Sequence, residues 1–246
     1  MVNWWRANII LSALFCTALG LAQPQSVVLW NYHDLPPFVI DQRSGLSHAL
    51  ADWLNRHAEG QYEFSVLTLP RERLNVLLQQ GHQGIVLWAN PAWFGDSAEE
   101  TFLWSEAMLE DRNAVISHRS HSIDYAGPES LRGKHLAVVR GYRFADLEPL
   151  IEAGQIVRYD VNREDNALLM VSRLRDVQVT IMSDISAGFI AQKLGVEDDL
   201  YLSPVAHSYY ERRLLITSQL TDVADFLEEH IPRLLASEEW AQWLDS

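Results

Sequence analysis

The sequence predicts an α/β protein of two lobes, each a mainly parallel sheet flanked by helices, with a ligand cleft between them. Three observations lead to this. Apolar segments of strand length alternate with helical periodicity over residues 27–88, an order that calls for a parallel sheet with covering helices. The alternation lapses over residues 90–100 and through the polar run 119–129, then resumes over 135–194. Two helical stretches close the chain without a block of their own. Blocks of about 90 residues suit two modest domains. The economical placement returns the tail to the first block, so the chain crosses twice. Lobe 1 is then 23–116 with 206–246, and lobe 2 is 117–205. Ligands in open α/β sheets bind outside the carboxyl ends of the strands, and two such edges facing each other make a cleft.

Residues 1–22 read as a targeting segment. Arg6 supplies a small basic region, 9–21 is an apolar run short for a membrane span, and Gly20 and Ala22 are the small residues of a cleavage site before Gln23. Bulky Phe15 precedes Cys16 where lipidation requires a small residue. Cys16 is the single cysteine, so the cleaved chain has no disulfide, no cysteine nucleophile and no cysteine metal site. The expectation is an exported, periplasmic chain of about 224 residues, large enough to fold without staples. A net charge of −14 argues against nucleic acid or an anionic membrane surface as partner. Lysine is almost absent (Lys134 and Lys193), leaving arginine for planar recognition of carboxylates.

The elements follow in order. Residues 27–30 form a buried strand, and a loop with Pro36 and Pro37 held extended leads to a helix marked by Leu46, Leu50, Trp53 and Leu54. Residues 62–67 are a strand, 71–81 a helix and 84–88 an apolar strand. Residues 104–109 and 114–118 are extended. The second block reads strand 135–139, helix from Arg143, strand 155–159, helix 163–174, strand 177–182 and helix 185–194. Asn162 and Asp184 sit where N-caps belong. Residues 200–204 are extended and 212–217 a strand. A helix over 222–235, interrupted near Pro232, and another over 237–244 complete the chain.

One stretch, LRGKHLAVVRGYRFADLE, runs from a strand through a glycine turn into the helix expected at Arg143. Such a turn leaves backbone N–H groups and a helix dipole available to an anion, with Arg143 adding a charge. Other constellations say less. His118 and His121 lack a third ligand for a metal, and no Gly-x-Ser-x-Gly elbow or cofactor motif occurs. Tyr209 and Tyr210 are either a hinge contact or a packed pair, and Glu211-Arg212-Arg213 reads as a solvated face.

The order of elements resembles the solute-binding proteins of bacterial transporters that bind polar amino acids, the type II periplasmic binding fold. The resemblance covers essentially the whole chain after Ala22. Its carriers are YHDLPPF, GLSHALADWLN, LPRERLNVLLQQG, FLWSEAMLEDRNAVIS, SLRGKHLAVVRGYRF and NREDNALLMVSRLRDVQVTIMSD. It implies contacts at the proline loop (Tyr32, Phe38, and Leu35 in place of the usual stacking aromatic). It implies others after the third strand (Trp88, Asn90 and nearby Trp93), at the glycine turn (Tyr142 and Arg143), and at Asp184, the acid that receives a ligand ammonium.

The family's Thr-x-x-Arg arginine for the ligand carboxylate is missing, since that region reads NPAWFGDSAEETFLWS. Arg71, Arg140 or Arg143 then supplies the charge from another wall, or the ligand is not an ordinary α-amino acid. Trp88 and Trp93 either face an aromatic, cationic or sugar-like ligand or pack under a loop. Asp184 is either a ligand contact or a helix cap. The expected function is hinge closure on an amino acid or related zwitterion, by a monomer without cofactor, for delivery to a membrane permease. Two alternatives use the same fold: a dehydratase with Asp184 or Glu72 as general acid, and a sensor without a transporter.

Overall fold

The computed structural model describes residues 23–245; the expected targeting segment, including Cys16, lies outside them. Strand β1 (Gln25–Asn31) runs parallel to β2 (Tyr62–Thr68) on one side and β3 (Ile85–Ala89) on the other. Successive side chains of a strand point to opposite faces, and β1 divides accordingly. Val27 and Leu29 join one core with Leu50, Trp53 and Leu54 of α1 (Leu46–His57). Val28 and Trp30 pack on the other face with Leu74 of α2 (Arg71–Gln79). Leu50, Leu54 and Leu74 have no exposed area, and each such side chain contributes about 1.5–3 kcal/mol of burial.

The proline loop departs from expectation. It is a turn closed by Val39 N–H donating to Leu35 O (3.0 Å), with a cis Pro36–Pro37 peptide, rather than an extended segment. It lies hard against the start of α1, where Gly45 has a φ of 114°. A Cβ at Gly45 would sit 2.7 Å from the Phe38 carbonyl oxygen and 2.8 Å from that of Pro37. Only glycine fits there.

After β3, residues 90–102 fold around one carboxylate. Asp96 accepts from the N–H groups of Glu100, Thr101 and Phe102 and from Trp104 Nε1. Burial raises its pKa, but these hydrogen bonds outweigh that and hold it at about 2. Strand β4 (Leu103–Trp104) follows, then β5 (Leu109–His118). Leu109 belongs to the first core, Ala114 and Ile116 to a second one, so the chain changes units inside β5.

The second unit repeats the parallel arrangement, with β6 (His135–Val139) between β7 (Val157–Val161) and β8 (Val179–Ser183). Ala137 faces α4 (Glu164–Ser172) and α5 (Asp184–Leu194), while Leu136 and Val138 face a core with Leu147 and Leu150. The helix expected from Arg143 begins only at Glu148: α3 is Glu148–Glu152, with Pro149 in its first turn. A helix from Arg143 would carry Pro149 in its interior, where it lacks the N–H and clashes with the preceding turn.

β9 (Leu200–Leu202) pairs with the end of β5, and β10 (Ser208–Ile216) makes the return crossing. β10 starts four residues before the expected strand because its first half pairs antiparallel with β5, Ser208 opposite Asn113 and Arg212 opposite Leu109. Its second half pairs with β3. Helix α6 (Thr221–Leu235) runs through Pro232 without the expected interruption. Ile231 and Leu234, both buried, hold its last turn on the core on either side of the proline. Val223, Leu227 and Trp240 of α6 and α7 (Glu238–Asp245) complete the first core. No helix among the described residues is long and apolar enough to cross a membrane.

Candidate functional site

The carboxyl ends of the parallel strands of both units face each other across a cavity of about 830 Å³. The first unit supplies Tyr32, His33, Leu35 and Phe38 after β1, Arg71 at the start of α2, and Trp93 from the turn after β3. The floor is Asn113 of β5 with Tyr210 and Arg212 of β10. The second unit supplies Tyr142, Arg143 and Phe144 after β6, Glu164 at the start of α4, and Ser183 and Ser186 where β8 enters α5. A second cavity of about 530 Å³ shares Asp34, Leu35 and Arg163 with it and is also lined by Lys193.

The floor is organised by a buried ion pair. Arg212 Nε and Nη2 donate to Asp111 Oδ2 at 2.9 and 2.8 Å, and Ser183 Oγ and Tyr210 Oη donate to the same oxygen at 2.7 and 3.1 Å. The remaining Asp111 oxygen accepts from Arg112 N–H (2.8 Å). One carboxylate thus joins both crossing strands to the end of β8. The guanidinium sits among three rings, 4.6 Å from the centroid of Phe38, 5.1 Å from Tyr210 and 5.4 Å from Trp93, where the ring quadrupoles favour a cation.

Arg212 Nη1 reaches His33 Nε2 at 3.3 Å, and that nitrogen lies 3.2 Å from the Trp88 carbonyl oxygen. Burial first, then the Arg212 charge, holds the His33 pKa well below its ordinary value, so the ring is neutral. Burial likewise raises Tyr32, Tyr142 and Tyr210, with Tyr142 pushed up to about 12.

The eleven residues expected at the site divide. Tyr32, Leu35, Phe38, Arg71, Trp93, Tyr142 and Arg143 line the cavity. Arg71 donates to Asn75 Oδ1 and the Trp93 carbonyl, and stacks 5.1 Å from the Tyr32 ring centroid. Arg143 is in the cavity wall but does not open a helix, since α3 starts later, so no converging helix N–H groups accompany it.

Four residues lie elsewhere. Trp88 is fully buried with Nε1 donating to Ser47 Oγ (2.9 Å). Its φ of 58° marks a bulge between β3 and β10, and only its carbonyl turns toward Arg212. Asn90 caps the turn at Ala92 N–H and donates to the Glu211 carbonyl. Arg140 lines a separate shallow cavity with Asp160 and Arg173.

Asp184 is not among the cavity-lining residues: it opens α5 and pairs with Arg112 at 2.6 Å, while Ser183 is the N-cap that accepts from Ser186 N–H. For α4 the cap position falls on Arg163, not Asn162. Asp184→Asn is therefore expected to cost under about 1 kcal/mol, as for partly exposed pairs, with binding affinity unchanged. Denaturant melts and titration calorimetry check both, and a tenfold loss of affinity would return Asp184 to the site.

Sequence reading missed Arg212, His33, Tyr210's place in the floor, and Glu164. For Arg212 a signal existed: it alternates with Leu214 and Ile216, so a strand there puts all three on one face. Arg212 is 3% exposed, not part of a solvated face. Glu164 is 4% exposed, lines the cavity and carries a buried Oε2 with no hydrogen-bond partner. Burial raises its pKa to about 7 against the pull of Arg212, with Asp111 and Asp165 adding to the rise.

No protein-family model matches the sequence, and a search of curated proteins finds no match. Solved structures do match. A mutant of ArgBP from T. maritima has a TM-score of 0.66 at 17% identity, over 89% of this chain and 93% of that one. The probable amino-acid ABC transporter extracellular-binding protein ytmK from Bacillus subtilis has 0.68 at 15%, over 89% and 96%. The VFT2 domain of Bordetella pertussis BvgS has 0.62 at 18%, over 89% and 92%. The chain therefore has the two-lobed type II solute-binding fold.

Proposed function

We propose that this protein binds a small polar solute, of the amino-acid class or a related zwitterion, by closing its two units over it. The observation that carries the reading is the cavity itself, which draws charged and aromatic groups from both units and from the crossing strands. An anionic end of a solute meets Arg71 and Arg143, which take the place of the absent Thr-x-x-Arg arginine. Trp93, 36% exposed, offers a ring face. The neighbouring fold includes an arginine-bound ArgBP, which supports the solute class. The proposed moving lobes are those expected, 23–116 with 206–246 and 117–205, with the first crossing drawn back into β5, between Leu109 of the first core and Ala114 of the second.

The proposal extends to export with cleavage near Ala22, a monomer in the periplasm, and delivery to a membrane permease, for which loss of solute uptake on deletion is the test. A thermal-shift screen of the mature protein against amino acids, polyamines, organic acids and sugars tests the binding. A solute at 100 times its dissociation constant stabilises by about 2.7 kcal/mol. Rigid closure also predicts a smaller radius of gyration with solute by X-ray scattering. No stabilisation across the panel would sink the reading, and stabilisation without compaction would remove the hinge.

The dehydratase reading loses both acids offered for it. Asp184 is paired with Arg112 away from the cavity, and exposed Glu72 does not line the cavity. Among the carboxyl groups of the described residues, Glu164 alone has the raised pKa of a general acid. A turnover assay on prephenate-like acids separates the two, with none expected.

A further inference from the structure

We propose that Glu164 is the anionic determinant of the cleft: a cationic nitrogen of the solute, as ammonium, amidinium or guanidinium, seats against its carboxylate and displaces its proton. The inference rests on the solute-binding reading and names the charge class that the site selects.

Three observations carry it. Glu164 Oε2 is buried and unpartnered in the wall of the cavity, and a buried acceptor left unpaired is costly enough that native chains seldom keep one. The acids around it are already engaged: Asp111 by Arg212, Ser183 and Tyr210, Asp184 by Arg112, Asp165 by Arg163. Asp34, the other carboxylate lining the cavity, is exposed to solvent. The group that the fold leaves for a cation is therefore Glu164, at the start of α4, and not the acid after β8.

The charged groups acting on Glu164 are Arg212, which favours the carboxylate, and Asp111 and Asp165, which do not; Tyr142, whose own pKa Glu164 helps raise, stays neutral here. With burial the balance leaves the carboxyl half-protonated near neutral pH. A cation entering the cavity binds the ionised form, and the displaced proton goes to the buffer. A side-chain ammonium or guanidinium of the solute stays charged, since these groups titrate above about 10. With a pKa of about 7, the competent fraction drops about tenfold between pH 8 and pH 6, and apparent affinity drops with it.

The test is a thermal-shift panel of L-arginine, L-lysine, putrescine, agmatine, succinate, malate and glucose, at pH 6 and pH 8. It is run on the wild type, Glu164→Gln and the control Asp184→Asn, with calorimetry of any compound that shifts. Each variant is read against its own unliganded melting temperature, so a change in stability does not enter. The expected stabilisers all carry a cationic nitrogen and bind the wild type about tenfold more tightly at pH 8 than at pH 6. At pH 8, Glu164→Gln loses roughly 10- to 150-fold, with a flat pH profile, and Asp184→Asn behaves as the wild type. Equal binding by Glu164→Gln overturns the inference and leaves solute binding standing. Stabilisation of the wild type by succinate, malate or glucose alone does the same. A wild type shifted by nothing in the panel or the wider screen removes the solute-binding reading and this inference with it.

Discussion

Replacing Arg212 by methionine is expected to destabilise the protein by about 3–5 kcal/mol, the cost of stranding one member of a buried ion pair. The Asp111 side chain has no exposed area and that of Arg212 is 4% exposed. Without the guanidinium, a carboxylate remains buried beside Ser183 and Tyr210 with its charge uncompensated. Against a typical total stability of about 5–15 kcal/mol, this loss is large. It contrasts with exposed pairs such as Arg233–Glu229, both members 62% exposed, whose removal changes stability by about 0–1 kcal/mol.

The double variant Asp111→Asn with Arg212→Met removes both charges and is expected to regain most of the loss. Urea unfolding of the two singles and the double at pH 7 decides it. A single variant within about 1 kcal/mol of wild type would show that water or another cation reaches Asp111. The pair joins both crossing strands, so the single variant also tests whether the crossing depends on this contact.

Glu164→Gln is expected to act in the opposite direction. It stabilises the unliganded protein by an amount on the order of 3 kcal/mol at pH 8. Burial is the main cause of the raised pKa, with Arg212 opposing and Asp111 and Asp165 adding. The sign follows from proton counts. Between the ordinary carboxyl pKa and about 7, the folded chain holds a proton that the unfolded chain has released, so stability falls as pH rises through this window. Above about 7 both states are ionised and the cost is constant; below the ordinary value both are protonated and the cost is gone. The benefit of glutamine therefore fades to nothing near pH 4. Unfolding free energies at pH 4, 6 and 8 measure it, and a variant no more stable than wild type at pH 8 would mean that Glu164 is already solvated or paired. Stability gained at the expense of binding is the usual relation at a functional site.

Much of the fold was legible because it is periodic. β6 was read at its observed bounds, and α1, α2 and α5 within a few residues at each end, since their apolar spacing reports which face is buried. The glycine-turn helix was misplaced because Phe144, Leu147 and Leu150 have helical spacing, while Pro149 restricts where a helix can begin. Of the expected site residues, Tyr32, Arg71, Tyr142 and Arg143 do line the cavity, because their place at a strand end follows from local order.

The acids and the buried arginine were not legible. Asp184 has the right position after an apolar strand, but Arg112 approaches from the crossing strand 72 positions earlier and occupies it. Glu164 looks like any acid in a first helical turn; nothing local shows that it is buried. Arg212 lies between two charged neighbours, and its partner Asp111 is 101 positions away.

The sequence by itself therefore determined which segments are strands and helices, in what order, and which strand ends could hold a ligand, because those properties depend on neighbours within a turn or two. Only the tertiary structure decided which acids and bases are neutralised and which are left facing the cleft. A charge is buried or kept according to what comes within a few ångströms of it in space, and β5 and β10 bring together residues that the sequence holds far apart.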